Sequence, residues 1–275
     1  MTNPIVLVVL DIMKNISSSE QLKNSKEDEI MTNGIDVSKY QQTVDYNAVK
    51  KAGKSFVIIR AGYGKEISQK DPYFEANYKA AKAAGLDVGA YWYSYAKTAS
   101  EAIEEAKVCL QCIKGKQFEY PIYYDVEEFN VLSLGKEKVS EIIKAFCGYL
   151  EQQSYFVGLY MSRYYVMNNT TDEIQKSYAL WIAEYNSECK YSGCGTVGMW
   201  QSCGQGSVSG VNGNVDLDTA YIDYPSIIKA AGLNGYVKST TAGSTSTSGS
   251  TAKAATKDVS LTIDEKTYSG MLTEK

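Results

Sequence analysis

FVIIRAGYGKEISQKDPYFEANYKAAKAAGLDVGAYWY, residues 56–93, reads as strand, helix, strand. Phe56-Val57-Ile58-Ile59-Arg60 is a short, mostly β-branched apolar run of the kind that forms a buried strand. Over 71–84, Phe74, Tyr78 and Ala81 recur at spacings of four and three, which covers one face of a helix. Gly85 supplies the stop, and Val88-Gly89-Ala90-Tyr91-Trp92-Tyr93 is the next strand. Strands joined through a helix pair in parallel, and parallel sheets need helices on their faces.

The same alternation runs outward in both directions. Gly34-Ile35-Asp36-Val37 precedes it. Pro121 to Val126, Val157 to Tyr160, Leu180 to Ala183, Gly198 to Gln201 and Asn214 to Leu217 follow. Helical patterns occupy 45–53, 98–113 and 136–153 as well as 71–84. After Tyr160 the intervening segments shorten, so the last strands are expected to lack full helical crossovers. The fold class is α/β: an irregular (β/α) barrel of the TIM type, with about eight strands and fewer than eight helices. A doubly wound open sheet is the alternative, because periodicity alone does not show closure.

Four segments are expected. Residues 1–33 are a polar extension without a sustained pattern, expected to be disordered. The main folded domain spans 34–235. A Ser/Thr/Gly-rich linker follows over 236–257, and 258–275 is a short tail or the start of an incomplete module. The apolar run Pro4 to Leu10 is too short to span a bilayer, lacks a basic flank and is interrupted by Asp11. It is no convincing signal peptide, and no stable membrane insertion is expected.

Composition narrows the chemistry. A net charge of -4 with no Lys/Arg block gives no reason to expect nucleic acid. Histidine is absent from all 275 residues, which removes every His-based triad, proton shuttle and metal ligand. The 23 tyrosines supply flat rings with a polar handle, suited to stacking on sugars, although most of them serve equally to pack a sheet.

Tyr123-Tyr124-Asp125-Val126-Glu127-Glu128 closes a strand-like run. Period-two geometry puts Tyr123, Asp125 and Glu127 on one face and Tyr124, Val126 and Glu128 on the other. Paired carboxyls at the end of a barrel strand stand where this architecture places its chemistry. Glycoside cleavage needs a protonated acid at the leaving oxygen and negative charge beside the developing cationic sugar. The competing reading is an inert, solvated strand end. Asp36 and Asp216 end two further strands and would join the same cleft, with Asp216 or Asp218 alternatively capping a turn or binding a cation.

These segments together resemble the family 25 glycoside hydrolases, the Chalaropsis-type muramidases. The resemblance is carried by Gly34-Ile35-Asp36-Val37-Ser38-Lys39-Tyr40-Gln41, Ile59-Arg60-Ala61-Gly62-Tyr63-Gly64, Gly89 to Tyr93, and Tyr124-Asp125-Val126-Glu127. Gly158-Leu159-Tyr160, Trp181 to Tyr185, Trp200-Gln201 and Val215 to Asp218 extend it, so that it covers roughly 34–231. It implies cleavage of the β-1,4 bond between N-acetylmuramic acid and N-acetylglucosamine in bacterial peptidoglycan glycan strands, with Glu127 as general acid. Asp125 would stabilise the reacting centre or orient a participating 2-acetamido group, and Asp36 and Asp216 would line the cleft. Tyr63, Tyr91, Trp181 and Trp200 resemble positions near the sugar groove. Arg60 would pair with a cleft carboxylate, a substrate carboxylate or a structural partner. A monomer acting at the cell wall, outside the cell or released on lysis, without cofactor or metal, is the expectation.

Other readings remain beside it. A noncatalytic glycan-binding barrel would use the same aromatic cleft, and a chitin-directed glycosidase the same acids. Cys109-Leu110-Gln111-Cys112 has redox or zinc spacing but lies late in a helix, against a thioredoxin-like role. Free thiols, a disulfide within 189–203 and a structural zinc are the three options for the cysteines. Gly62-Tyr63-Gly64 completes no dinucleotide fingerprint.

Overall fold

The computed structural model describes residues 31–238, together with the backbone of two strands, Lys257–Ile263 and Lys266–Leu272. The first unit contains a closed barrel of eight strands in sequence order. They are β1 (Thr32–Val37), β2 (Phe56–Tyr63), β3 (Asp87–Tyr93), β4 (Ile122–Asp125), β5 (Val157–Ser162), β6 (Ala179–Ala183), β7 (Val197–Gly206) and β8 (Val215–Ala220). Pairs from β1–β2 to β6–β7 are parallel, whereas β8 runs antiparallel to both β7 and β1.

Five connections carry helices: Tyr46–Lys51, Phe74–Ala84, Ala99–Ile113, the pair Phe129–Leu132 and Lys136–Gln152, and the pair Arg163–Asn169 and Asp172–Ser177. Connections β6–β7 and β7–β8 carry none among the described residues. Local chemistry sets the helix ends. Asp45 and Thr98 accept backbone N–H bonds at the N-termini of two of them, and Gly85 closes Phe74–Ala84 in a left-handed conformation at φ 72°.

Strand alternation divides the core in two. Outward residues such as Ile35, Val57, Ile59, Trp92, Tyr124 and Leu159 pack beneath the helices; Tyr124 stacks on Phe146 with centroids 3.8 Å apart. Inward residues fill the lower barrel: Phe56, Ile58, Tyr123, Trp181 and Met199, with Tyr224 and Ile228 from the last helix, Tyr224–Ala231. Gly158 leaves room for this packing, because a Cβ there would lie 2.4 Å from the Tyr123 ring. Higher up, the inward positions turn polar, and the site begins there.

Some boundaries differ from the sequence reading. β1 starts at Thr32, where Thr32 and Asn33 pair with Ala220 and Thr219, two residues ahead of the expected domain start. Tyr236 also belongs to this unit, its hydroxyl donating to Glu119, within the span expected to be linker. Residues 1–30 and most of the linker lie outside the described residues. In the second unit, residues 257–263 and 266–272 form an antiparallel hairpin with Ile263 opposite Lys266 and Lys257 opposite Leu272. All six cysteines are free thiols, three of them (Cys109, Cys112 and Cys147) buried under the helices.

Candidate active site

The polar residues gather where the parallel strands end. β1 delivers Asp36, β2 Arg60 and Tyr63, β3 Tyr91 and Tyr93, and β4 Asp125 with Glu127 just beyond it. Tyr160 from β5, Trp181 from β6, Gln201 from β7 and Asp216 from β8 complete the circle. A cleft of about 460 Å³ lies over the β1–β4 side and one of about 180 Å³ over the β5–β7 side. Asp36, Tyr91, Asp125, Glu127 and Asp216 line both. A shallower extension past Tyr185, Asn186 and Cys203 shares Asp216. The combined lining is an open groove, the shape an extended chain requires.

Asp125 is buried, and its Oδ1 has no hydrogen-bond partner among the described residues. Burial raises its pKa well above the carboxylate range, the charge of Glu127 adds to this, and Arg60 opposes it. Glu127 opens onto the groove, yet the surrounding walls strip enough water from its carboxyl to raise its pKa. The charges of Asp216 and Glu128 push the same way. Glu128 faces elsewhere, accepting from the Tyr93 hydroxyl at 3.3 Å and from Asn130 at 3.0 Å.

Across the groove, Asp36 sits directly opposite Asp216 in the β1–β8 ladder, and its Oδ2 accepts from Gln201 Nε2 at 2.6 Å. Gln201 is itself fixed, its Oε1 accepting the hydroxyls of Tyr160 at 2.9 Å and Tyr185 at 3.1 Å. Asp218 lies one inward step below Asp216, opposite Gln201, and accepts from Trp181 Nε1 at 2.9 Å. Three carboxyls in one buried corner cannot all ionise. Burial raises Asp36 well above its ordinary value, reinforced by the charges of Asp218 and Asp216. Burial also takes Asp216 to about 6 and Asp218 to about 8. No group of three or more acids or thiols among the described residues is arranged to hold a metal ion.

Of the residues singled out from sequence, Asp36, Asp125, Glu127, Asp216, Tyr63, Tyr91, Trp181 and Arg60 come together here. Trp181 forms buried floor rather than an exposed platform. Arg60 pairs with Asp71, its Nε donating to Asp71 Oδ2 at 2.8 Å, and it also lines the groove. Trp200 does not reach the cleft. Gln201 points inward, so alternation turns Trp200 to the opposite face, where its Nε1 donates to Glu184 O at 2.8 Å. The structure adds Gln201, Tyr93, Tyr160 and Tyr185 to the site, together with Asp218, which the sequence offers only as a turn cap or cation ligand. Two of these, Asp218 and Tyr93, were within reach of the period-two rule, lying two positions beyond Asp216 and Tyr91.

Comparison with known proteins identifies the family and the fold. The family described as "Glycosyl hydrolases family 25" matches residues 35–211, which include Asp36, Asp125 and Glu127 but stop short of Asp216. The autolytic lysozyme of Clostridium acetobutylicum is 32% identical over 192 residues, 67% of this chain and 54% of that protein. The chain thus spans about half the length of that relative. Among solved structures, the bacterial lysozyme of Streptomyces coelicolor superposes with a TM-score of 0.63 at 24% identity, covering 73% of this chain and 96% of that one. A family 25 glycosyl hydrolase from Bacillus anthracis gives 0.60 at 21% identity, covering 70% and 89%. With a family match over most of the barrel, the chain belongs to glycosyl hydrolase family 25.

Proposed function

We propose that this chain hydrolyses the β-1,4 bond between N-acetylmuramic acid and N-acetylglucosamine in peptidoglycan, acting at the bacterial cell wall. One observation carries most of the weight: Asp125 and Glu127 share a groove at the barrel mouth, and Glu127 holds its proton more tightly than an ordinary acid. Glu127 is the general acid. It gives its proton to the glycosidic oxygen as the C1–O bond breaks, and a raised pKa keeps that proton available nearer neutrality.

Asp125 serves the other side of the reaction. An unpartnered buried carboxyl oxygen is costly in a folded protein and suits a group that meets its partner in the substrate. The N–H of a 2-acetamido group is such a partner, and a carboxylate holding it would orient the acetamido oxygen towards C1. Negative charge at the same place would also stabilise the oxocarbenium-like centre. Asp36 and Asp216 frame the opposite wall, with Gln201 fixing the first of them.

Digestion of purified peptidoglycan followed by product analysis tests the reading. New reducing ends on muramic acid are expected, with chitin oligomers cut far more slowly. Tight binding of wall glycan without new reducing ends would mean a noncatalytic glycan-binding barrel. Equal cleavage of chitin would mean a glycosidase of broader or different specificity.

A further inference from the structure

Charge is distributed unevenly around the groove. Four carboxyls, those of Asp36, Asp125, Glu127 and Asp216, crowd its centre, while Lys39 and Arg60 line it beside Tyr40. Asp71, only 2% exposed, ties that corner together. Its Oδ2 accepts from Lys39 N at 2.9 Å and Arg60 Nε at 2.8 Å, and its Oδ1 accepts from Tyr73 N at 2.9 Å. The backbone of Lys39 is therefore fixed, but its ammonium has no acid partner among the described residues. Arg60 is 9% exposed, and its Nη2 lies 2.8 Å from Asp71 Oδ2 without an aligned hydrogen bond. Asp71 thus neutralises Arg60 and holds Lys39 only by its backbone, so the Lys39 ammonium is left, among the described residues, as the unpaired cation of this corner. Both lie against the Tyr40 ring, the Arg60 guanidinium carbon at 5.2 Å and Lys39 Nζ at 5.4 Å from its centroid. The ring itself is 73% exposed.

We propose that Lys39 and Arg60 form a carboxylate-binding corner of the groove, which recognises an acid carried by the muramyl substituent of the glycan. A planar guanidinium beside an ammonium matches a carboxylate in geometry as well as charge. Neutral chitin offers no such group. The acid is either the free lactyl carboxylate or a carboxylate of the attached peptide. Its identity rests on the peptidoglycan reading above; the cationic corner does not.

Calorimetric titration of the full chain with three probes tests this. They are N-acetylglucosaminyl-N-acetylmuramic acid with a free lactyl acid, the same disaccharide with the lactyl group as a simple amide, and the same with an acidic dipeptide on the lactyl carbonyl. None contains a muramyl-to-glucosaminyl bond that the proposed activity could cut. At least one acidic probe is expected to bind about fivefold or more tightly than the neutral amide, with a preference that weakens in salt. Whichever acidic probe shows the preference identifies the source of the carboxylate. Lys39→Gln should shrink the acid-to-amide ratio towards one and Lys39→Arg should restore it, with thermal unfolding unchanged in both. Equal affinity for all three probes, binding of none, or a ratio unmoved by Lys39→Gln overturns the corner. A failed peptidoglycan digestion beside an intact acid preference would overturn the hydrolase and leave the corner standing.

Discussion

Glu127 and Glu128 carry the same carboxyl one residue apart, and the chain leaving β4 turns them to different tasks, Glu127 to the groove and Glu128 to the start of the helix Phe129–Leu132. Glu127→Gln keeps volume and hydrogen-bonding reach but removes the transferable proton. General acid catalysis is worth a factor of roughly 10² to 10⁴, so turnover on muramyl glycans should fall at least about a hundredfold while fragment binding changes little. Asp125→Asn should be comparably severe with the fold intact. Glu128→Gln should leave turnover at the pH optimum close to parental, but it should move the alkaline limb. The Glu128 charge helps raise the pKa of Glu127, so its loss lets Glu127 deprotonate at lower pH, and activity should fall away earlier as pH rises. A folded Glu127→Gln variant with near-parental turnover, or an unmoved limb in Glu128→Gln, would require the acids to be reassigned. Much of this site was legible because acids cluster where strand-like runs end, although the alternation expected through Glu128 stops with β4 at Asp125. Gln201 was not, because an amide has no chemistry that announces itself before its partners Asp36, Tyr160 and Tyr185 are placed.

At the scale of elements, the helix Ala99–Ile113 does more than cover the sheet. Glu105, 1% exposed, accepts from Tyr124 on β4 at 2.7 Å and from the backbone N–H of Tyr95 after β3 at 2.8 Å. It thereby joins the strand that carries Asp125 to the loop that carries the Tyr95 wall of the groove. Burial lifts its pKa to about 7, only partly offset by those hydrogen bonds. A raised acid favours the protonated folded state, so this stabilisation is complete below about 4.5 and lost as pH rises through about 7. Glu105→Gln should flatten that part of the stability-versus-pH curve. Its amide nitrogen meets a donor where an oxygen met one, so it should also cost about 1–3 kcal/mol in denaturant unfolding. An unchanged pH slope would show that Glu105 does not titrate there. The strands and longer helices were legible because apolar period and length agree in each. The antiparallel return of β8 was not, since its short run looks like its neighbours. Only the connection over 207–214, too brief for a crossover, reveals the hairpin.

For the whole molecule, closure depends on both ends of the barrel unit. β1 closes the barrel on β8 from Thr32 onward, with Thr219 Oγ1 donating to Asn33 Oδ1 at 3.1 Å. At the other end, the helix Tyr224–Ala231 plugs the floor with Tyr224 and Ile228. Asn234, fully buried, follows at φ 54°. Its side chain accepts from Phe156 N at 2.7 Å and donates to Tyr120 O at 2.9 Å, so it spans the strand starts beneath the barrel. We propose that the self-sufficient catalytic unit is 31–238, slightly wider at both ends than the sequence expectation of 34–235. A chain cut to 31–238 should unfold in one cooperative transition and keep its turnover on soluble wall fragments. One cut to 34–223 should not, because it loses two rungs of the closing ladder, the apolar floor and the Asn234 clamp together. Large losses follow from exposing a core and stranding buried polar groups, not from trimming solvated ends. Paired thermal unfolding and turnover on the two truncated chains decide it. Cooperative unfolding of 34–223 would show that the floor helix is dispensable. Loss of the transition in 31–238 would place an essential stabilising element in the terminal segments.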